Sequence, residues 1–231
     1  WQRRFHRNLY EESQRLAEAT EALAGDLEGT AGQPAATDPV EAAEAWLGDW
    51  SVLAPLETEA DGADHLTAKA RADLGGGAAF DIVREHIAET AQDAARLPLS
   101  EFRRGVDRVG VDPFRLTDIF DVRLSLVLRR LAAADEIGAG LIKTDADGAV
   151  RLRRQAPGFT VPRFGATRAL WPLYAALDHP GRAEVHELGL GGKVWERFRV
   201  WAIAETEEDS TVKGMMLVLP NMDTARDTRA L

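Results

Sequence analysis

The sequence predicts an α+β protein. Its N-terminal half is helical and carries a helix-turn-helix or winged-helix-like unit. Its C-terminal part is a small α+β domain with a mostly antiparallel sheet. Three observations predict this. Apolar residues recur at helical spacing through most of the first 130 positions. Two short helices with a tight corner between them, then a hairpin, occupy the stretch "DPFRLTDIFDVRLSLVLRRL…GLIKTDADGAVRLRR". Beyond residue 183, short strand-like runs are separated by turn residues.

The opening is helical, with Phe5, Leu9, Leu16, Leu23 and Leu27 on one stripe. The chain enters this pattern at "WQRRF" without an N-cap, from which an upstream portion is expected. A loop, "EGTAGQPAATDP", follows. Asp38-Pro39 then sets an N-cap and a first-turn proline for a helix with Trp46, Leu47 and Trp50. "DLGGG" breaks the chain before a helix over 80–96. Ser100 is expected to cap "EFRRGVDRV", and Asp112-Pro113 to cap "FRLTDIF". In the two short helices Leu116, Ile119, Phe120, Val122, Leu126, Val127 and Leu131 are expected inward. "GLIKT" and "AVRLRR" flank a "DADG" turn. "GFTVPRF" reads as a strand and "TRALWPLYAAL" as a helix; "AEVHEL", "VWERFRVWAIAE" and "KGMMLVLP" read as further strands. The implied organisation is a helical linker or dimerisation region over 1–96, a helix-turn-helix-like unit with hairpin over 97–155, and a C-terminal domain over 156–231.

Composition excludes several function classes. With no cysteine among 231 residues, disulfides, thiol catalysis and cysteine-ligated zinc or iron–sulfur sites are ruled out for these residues. No run of eighteen apolar residues and no secretory leader is present, so a cytoplasmic protein without membrane contact is expected. The formal net charge of −10 is uneven. Residues 1–100 carry −11, residues 101–200 carry +4, and the rest carry −3. An acidic front half repels a phosphate backbone, so strong DNA binding by this chain alone is not expected.

Enzyme motifs are missing. There is no G-x-S-x-G, no phosphate loop ("LGLGGK" reads as a hairpin turn), and no H-E-x-x-H around "REHIAE". The five histidines are scattered, and His179 beside Pro180-Gly181 reads as a turn residue. No catalytic residue and no metal ligand is assigned. Arg115, Arg123, Arg129 and Arg130 offer phosphate contacts on the helix-turn-helix unit. Asp107, Asp112, Asp118 and Asp121 are interleaved there, which favours scaffold or protein contact over DNA reading.

"RFGATRALWPLYAAL" over 163–177 is the densest candidate site. Arg163 and Arg168 bracket a helix start, where backbone N–H groups and guanidiniums together favour an anion. Trp171 and Tyr174 fit a core stripe, and they also offer rings on which a purine can stack. Phe164, Gly165, Arg182 and Trp201 complete the candidate ligand-binding set.

Read together, "LPLSEF", "FRLTDIFDVRLSLVLRRL", "GLIKTDADGAVRLRR", "GFTVPRFGATRALWPLYAALDHPGR" and "KGMMLVLP" resemble the C-terminal portion of the short-chain fatty acyl-CoA regulators. These are bacterial transcription factors with an XRE-type DNA-binding domain at the N-terminus. A region related to the IrrE-like metallopeptidases follows it, and then a sensor domain. The similarity runs over roughly 97–220; residues 1–96 match loosely. "PRFGA" followed by "LWPLY" is its most specific part. The resemblance implies an effector-sensing and oligomerisation part of a regulator that responds to a short-chain acyl-CoA or related metabolite. It would be a homodimer that reaches DNA through a separate N-terminal domain. The chain departs from the family in lacking H-E-x-x-H and the cysteines that hold an iron–sulfur cluster in some members, so neither proteolysis nor a cluster is expected. The alternatives are a degenerate metallopeptidase-like protein and a structural interaction module without ligand.

If Arg163 and Arg168 hold an anion, each contributes a charge-assisted hydrogen bond worth about 1.5–3 kcal/mol. Arg163→Ala or Arg168→Ala should then weaken binding of a CoA thioester roughly ten- to a hundredfold by titration calorimetry, with the melting temperature unchanged.

Overall fold

The computed structural model describes residues 38–159, 171–190, 196–207 and 210–220, all within one compact unit. In chain order the elements are α1 (Pro39–Leu47), a 3-10 segment (Ser51–Glu57), α2 (Gly62–Leu74), α3 (Ala78–Arg96), α4 (Leu99–Val109), α5 (Pro113–Phe120) and α6 (Leu124–Ala133). A short 3-10 turn (Asp135–Ile137) leads into β1 (Gly140–Thr144) and β2 (Val150–Arg154). Helix α7 (Trp171–Asp178) precedes β3 (Glu184–Leu190), β4 (Glu196–Thr206) and β5 (Val212–Pro220).

The strands form one antiparallel five-stranded sheet in the order β2-β1-β5-β4-β3. The α+β class with an antiparallel sheet is therefore as the sequence predicts. The hairpin β1–β2, however, is no free wing. Gly140–Thr144 pairs along its length with Gly214–Val218 of β5, so strands from either side of residue 155 share one sheet.

Alternation along the central strands separates two cores. Leu141, Trp201, Ile203, Met215 and Leu217 face the packed helices α1–α6, joining Leu47, Phe80, Val83, Ile87, Phe102, Leu116, Val127 and Leu131. Ile142, Phe198, Val200, Ala202, Met216 and Val218 face the other way, against Leu173 and Ala176 of α7. The continuous buried run Gly214–Leu219 in β5 is explained by this double coverage, since a strand covered on both faces loses its polar alternation.

Local rules account for most boundaries. The Asp38 carboxylate accepts from Val40 N at 2.8 Å, and Asp112 accepts from Phe114 N and Arg115 N at 3.1 and 3.2 Å. Helix α4 starts two residues earlier than the Ser100 cap implies, because Pro98 is its N-cap residue and Leu99 N is met from another element. Helix α1 stops at Leu47, so Trp50 lies outside it, in the left-handed region at φ 72°. Of the residues expected inward on α5, Leu116 is buried while Ile119 is exposed; on α6, Leu124 and Leu128 are buried as well. The expected strand "GFTVPRF" lies largely outside the described residues.

Gly105 lets α4 and α5 touch. A Cβ there would stand 2.4 Å from the Phe120 ring, which lies 6.0 Å from the Phe102 ring. Gly105→Ala should cost about 1–3 kcal/mol, read as a lower denaturation midpoint with an unchanged slope.

Candidate functional site

A cavity of about 460 Å³, open to solvent on one side, lies where the 3-10 segment, α3, the start of α4 and α6 meet. Helix α3 turns one face toward it, bearing His86, Thr90 and Asp93, with Glu89 beside them. These positions are three, four and seven apart, which puts them on one helical stripe. Neighbouring stripes carry Phe80, Val83 and Ile87 into the core, so polar and apolar residues of one helix are both buried.

Three cations meet three carboxylates around this face. Arg129 donates through Nε and Nη2 to Asp93 at 2.6 and 2.8 Å, and its Nη1 lies 3.2 Å from Glu89. Lys143 of β1 donates to Glu89 at 2.5 Å. Arg130, 1% exposed, donates through Nη2 to Glu57 Oε1 at 2.5 Å, while Glu57 Oε2 accepts from Leu99 N at 2.8 Å. Glu57 thus caps α4 and neutralises Arg130 together, which is why α4 begins where it does.

The cluster perturbs its own titrations. Burial by itself would raise the Glu89 carboxyl, but Lys143 and Arg129 outweigh it and hold the group well below the usual carboxylate range. At Asp93 burial wins over the Arg129 hydrogen bonds, and the carboxyl is pushed up. Burial opposes the charge on Arg129 too, but Asp93 and Glu89 more than restore it. Burial pushes His86 down, partly offset by Glu89, so the imidazole is neutral at pH 7.

Two residues of this cluster carry buried nitrogens without a partner among the described residues, as Thr144 Oγ1 and Arg154 Nη1 do elsewhere. His86, 2% exposed, has no hydrogen-bond partner on Nδ1 or Nε2 among the described residues; Glu89 Oε2 is 3.9 Å from Nδ1, too far for a bond. Arg130 likewise has no partner for Nε or Nη1. Both residues line the cavity. Trp50 also lines it, with its ring 4.4 Å from the His86 ring and 5.3 Å from the Arg154 guanidinium. A left-handed tryptophan is a costly conformation, held where surrounding contacts over-determine it, and such residues cluster at binding sites.

The site expected from sequence sits elsewhere. Arg163, Phe164, Gly165 and Arg168 lie outside the described residues. Tyr174 packs half-buried over the α7 face of the sheet, near the hairpin glycine Gly148. Trp201 is buried on the opposite, helix-covered face, so the sheet separates these two rings. Arg182 is exposed, 3.4 Å from Glu184. Of the four arginines offered for phosphate contacts, Arg115 and Arg123 are exposed. Arg129 and Arg130 are turned inward into the ion pairs above and present no guanidinium to a nucleic acid. Among the described residues no group of three or more His, Asp or Glu is placed to hold a metal ion, and no helix is long and apolar enough to cross a membrane.

Comparisons with known proteins bear on this arrangement. No protein-family model matches the chain. A propionyl-CoA carboxylase regulator from Cereibacter sphaeroides is 30% identical over 132 residues, 55% of this chain and 27% of that protein. The chain therefore spans about a quarter of the length of the curated relative it matches. Among solved structures, a Mycobacterium tuberculosis transcriptional regulator shares the fold at a TM-score of 0.51 and 19% identity, over 74% of this chain and 55% of that one.

The buried His86 makes stability depend on pH. Its folded-state pKa lies below the ordinary value of 6.5, so the unfolded chain binds more protons as pH falls through that range. Stability should therefore decline from pH 7.5 to 5.5. His86→Gln should flatten this decline in thermal melts taken across that window, while Glu89, held below the usual carboxylate range, keeps its charge throughout.

Proposed function

We propose that this chain is the effector-sensing part of a bacterial transcriptional regulator, and that a short-chain acyl-CoA or related thioester places its acyl end in the cavity bounded by Trp50, His86 and Arg130. The observation that carries the reading is the pair of unsatisfied buried groups. Arg130 Nε and Nη1 and both His86 ring nitrogens are buried without a partner among the described residues, at about 1–3 kcal/mol for each missing hydrogen bond, and both residues stand in the cavity wall. A ligand carbonyl supplies acceptors to Arg130 and can meet either tautomer of His86. Leu53, Ala54 and Ala133 line the same space and suit a short apolar chain.

The sequence resemblance and the name of the Cereibacter relative favour the same reading. The surroundings of His86 disfavour an enzymatic role. His86 has no hydroxyl or carboxylate within hydrogen-bond reach among the described residues, so a nucleophile–base pair is not assembled there. DNA reading would fall to another part of a longer protein, and effector binding would bias one of two states of the assembly through differential affinity.

The test is a thermal-shift titration. At a propionyl-CoA concentration 100 times Kd, binding to the native state adds about 2.7 kcal/mol. For a chain of this size that raises the melting temperature by roughly 5–10 °C. Ala133→Leu, which fills the cavity, should fold and lose the shift. A shift retained in Ala133→Leu, or lost only in Arg163→Ala and Arg168→Ala, would place the effector elsewhere.

A further inference from the structure

Four large apolar side chains are exposed among the described residues, and three of them lie together: Val111 (40%), Phe114 (44%) and Ile119 (36%), on and just before α5. At 100° per residue, Phe114, Asp118, Arg115 and Ile119 span an arc of about 140°, in that order around the helix. Pro113 and Leu116 point the opposite way, into the core. The exposed arc is therefore a helix face with two opposite charges at its centre and an apolar residue at each edge. A depression of about 410 Å³ runs beside it, lined by Arg108, Val109, Arg115, Asp118 and Ile119.

Several charged side chains near the helices are paired, as Arg103 is with Glu136, Arg129 with Asp93 and Arg153 with Glu44. Arg115 and Asp118 have no side-chain partner among the described residues, although they sit one turn apart. Their order along the helix supplies a partner. If two copies of α5 pack antiparallel about a two-fold axis passing between positions 115 and 118, Arg115 of each copy faces Asp118 of the other. In the same packing each flank meets the same flank of the other copy, so Phe114 and its mate share one flank and Ile119 and its mate the other, each offset by about 7.5 Å along the helices. One face thus satisfies two ion pairs and covers two apolar strips without any change of side chain.

We infer that the exposed face of α5, with the adjoining depression at the end of α4, is the contact between two copies of this chain, centred on reciprocal Arg115–Asp118 ion pairs. A single short helix buries less than a standard interface. The central charges therefore set the register, and the dimer is of roughly micromolar affinity. This inference is independent of the cavity reading, since none of these residues lines the cavity.

Sedimentation equilibrium of the whole chain tests it. The parent should be dimeric at tens of micromolar. Arg115→Asp and Asp118→Arg each place like charges across the axis and should weaken the dimer at least about tenfold. The double variant Arg115→Asp/Asp118→Arg exchanges the charges and should restore it. Phe114→Ser should also weaken it. All four variants should melt within about 2 °C of the parent monomer, because the altered side chains are exposed. A monomeric parent overturns the inference. So does a dimer indifferent to both single reversals, which would put the contact on another face, including residues 1–37, or a double variant that stays as weak as the single ones.

Discussion

The Arg130–Glu57 pair is buried at the point where four segments converge, and the arrangement around it follows from the need to keep that guanidinium compensated. Arg130 reaches Glu57 from α6, and Glu57 reaches the first amide of α4 from the 3-10 segment. One carboxylate therefore fixes the angle between α4 and α6 and the end of the 3-10 segment at once. Removing either partner of such a pair leaves an uncompensated buried charge at a cost of about 3–5 kcal/mol. Replacing the pair by apolar groups of similar volume is often neutral or stabilising, so stability alone does not account for the pair being there. What it provides is a rigid guanidinium in the cavity wall, with two buried nitrogens that have no partner among the described residues.

Beside it, Arg129, Lys143, Glu89 and Asp93 form a second compensated group that ties α3 to α6 and to the sheet. The cations and carboxylates of the two groups balance, so a further full charge would enter the cavity without a counter-ion. A neutral acceptor, such as a thioester or amide carbonyl, satisfies Arg130 without that penalty. His86 is neutral for the same reason of burial, and its ring lies tilted against a tryptophan that is itself held in a left-handed conformation. Charge balance, unsatisfied donors and backbone strain thus coincide in one place.

Much of the fold was legible in the sequence because it rests on local rules. Asp38-Pro39 and Asp112-Pro113 carry their own capping chemistry, and the strands at the C-terminal end carry their own alternation. What sequence reading missed depends on tertiary placement. Ile119 looks like a core residue from its spacing, but α5 is only eight residues long and Leu116 with Phe120 already fills its buried side. The hairpin reads as a wing because nothing local reveals that β5, some seventy residues later, will pair with β1.

The cavity was illegible for a similar reason. His86, Glu89, Thr90 and Asp93 have helical spacing, but polar residues on a helix are solvated by default, and only the positions of Arg129 and Arg130 on another helix show that this face is buried. The signal available was the adjacency of two arginines inside an otherwise apolar run, "LSLVLRRLAA", where at least one must point inward. The claim that this cavity is the effector site is tested most directly by nuclear magnetic resonance of the protein with selectively labelled arginine and histidine, titrated with propionyl-CoA. The account predicts that the Arg130 Nε–H and the His86 ring signals move together with binding while Arg182 stays in place. A saturable titration that leaves both cavity signals unmoved would contradict it.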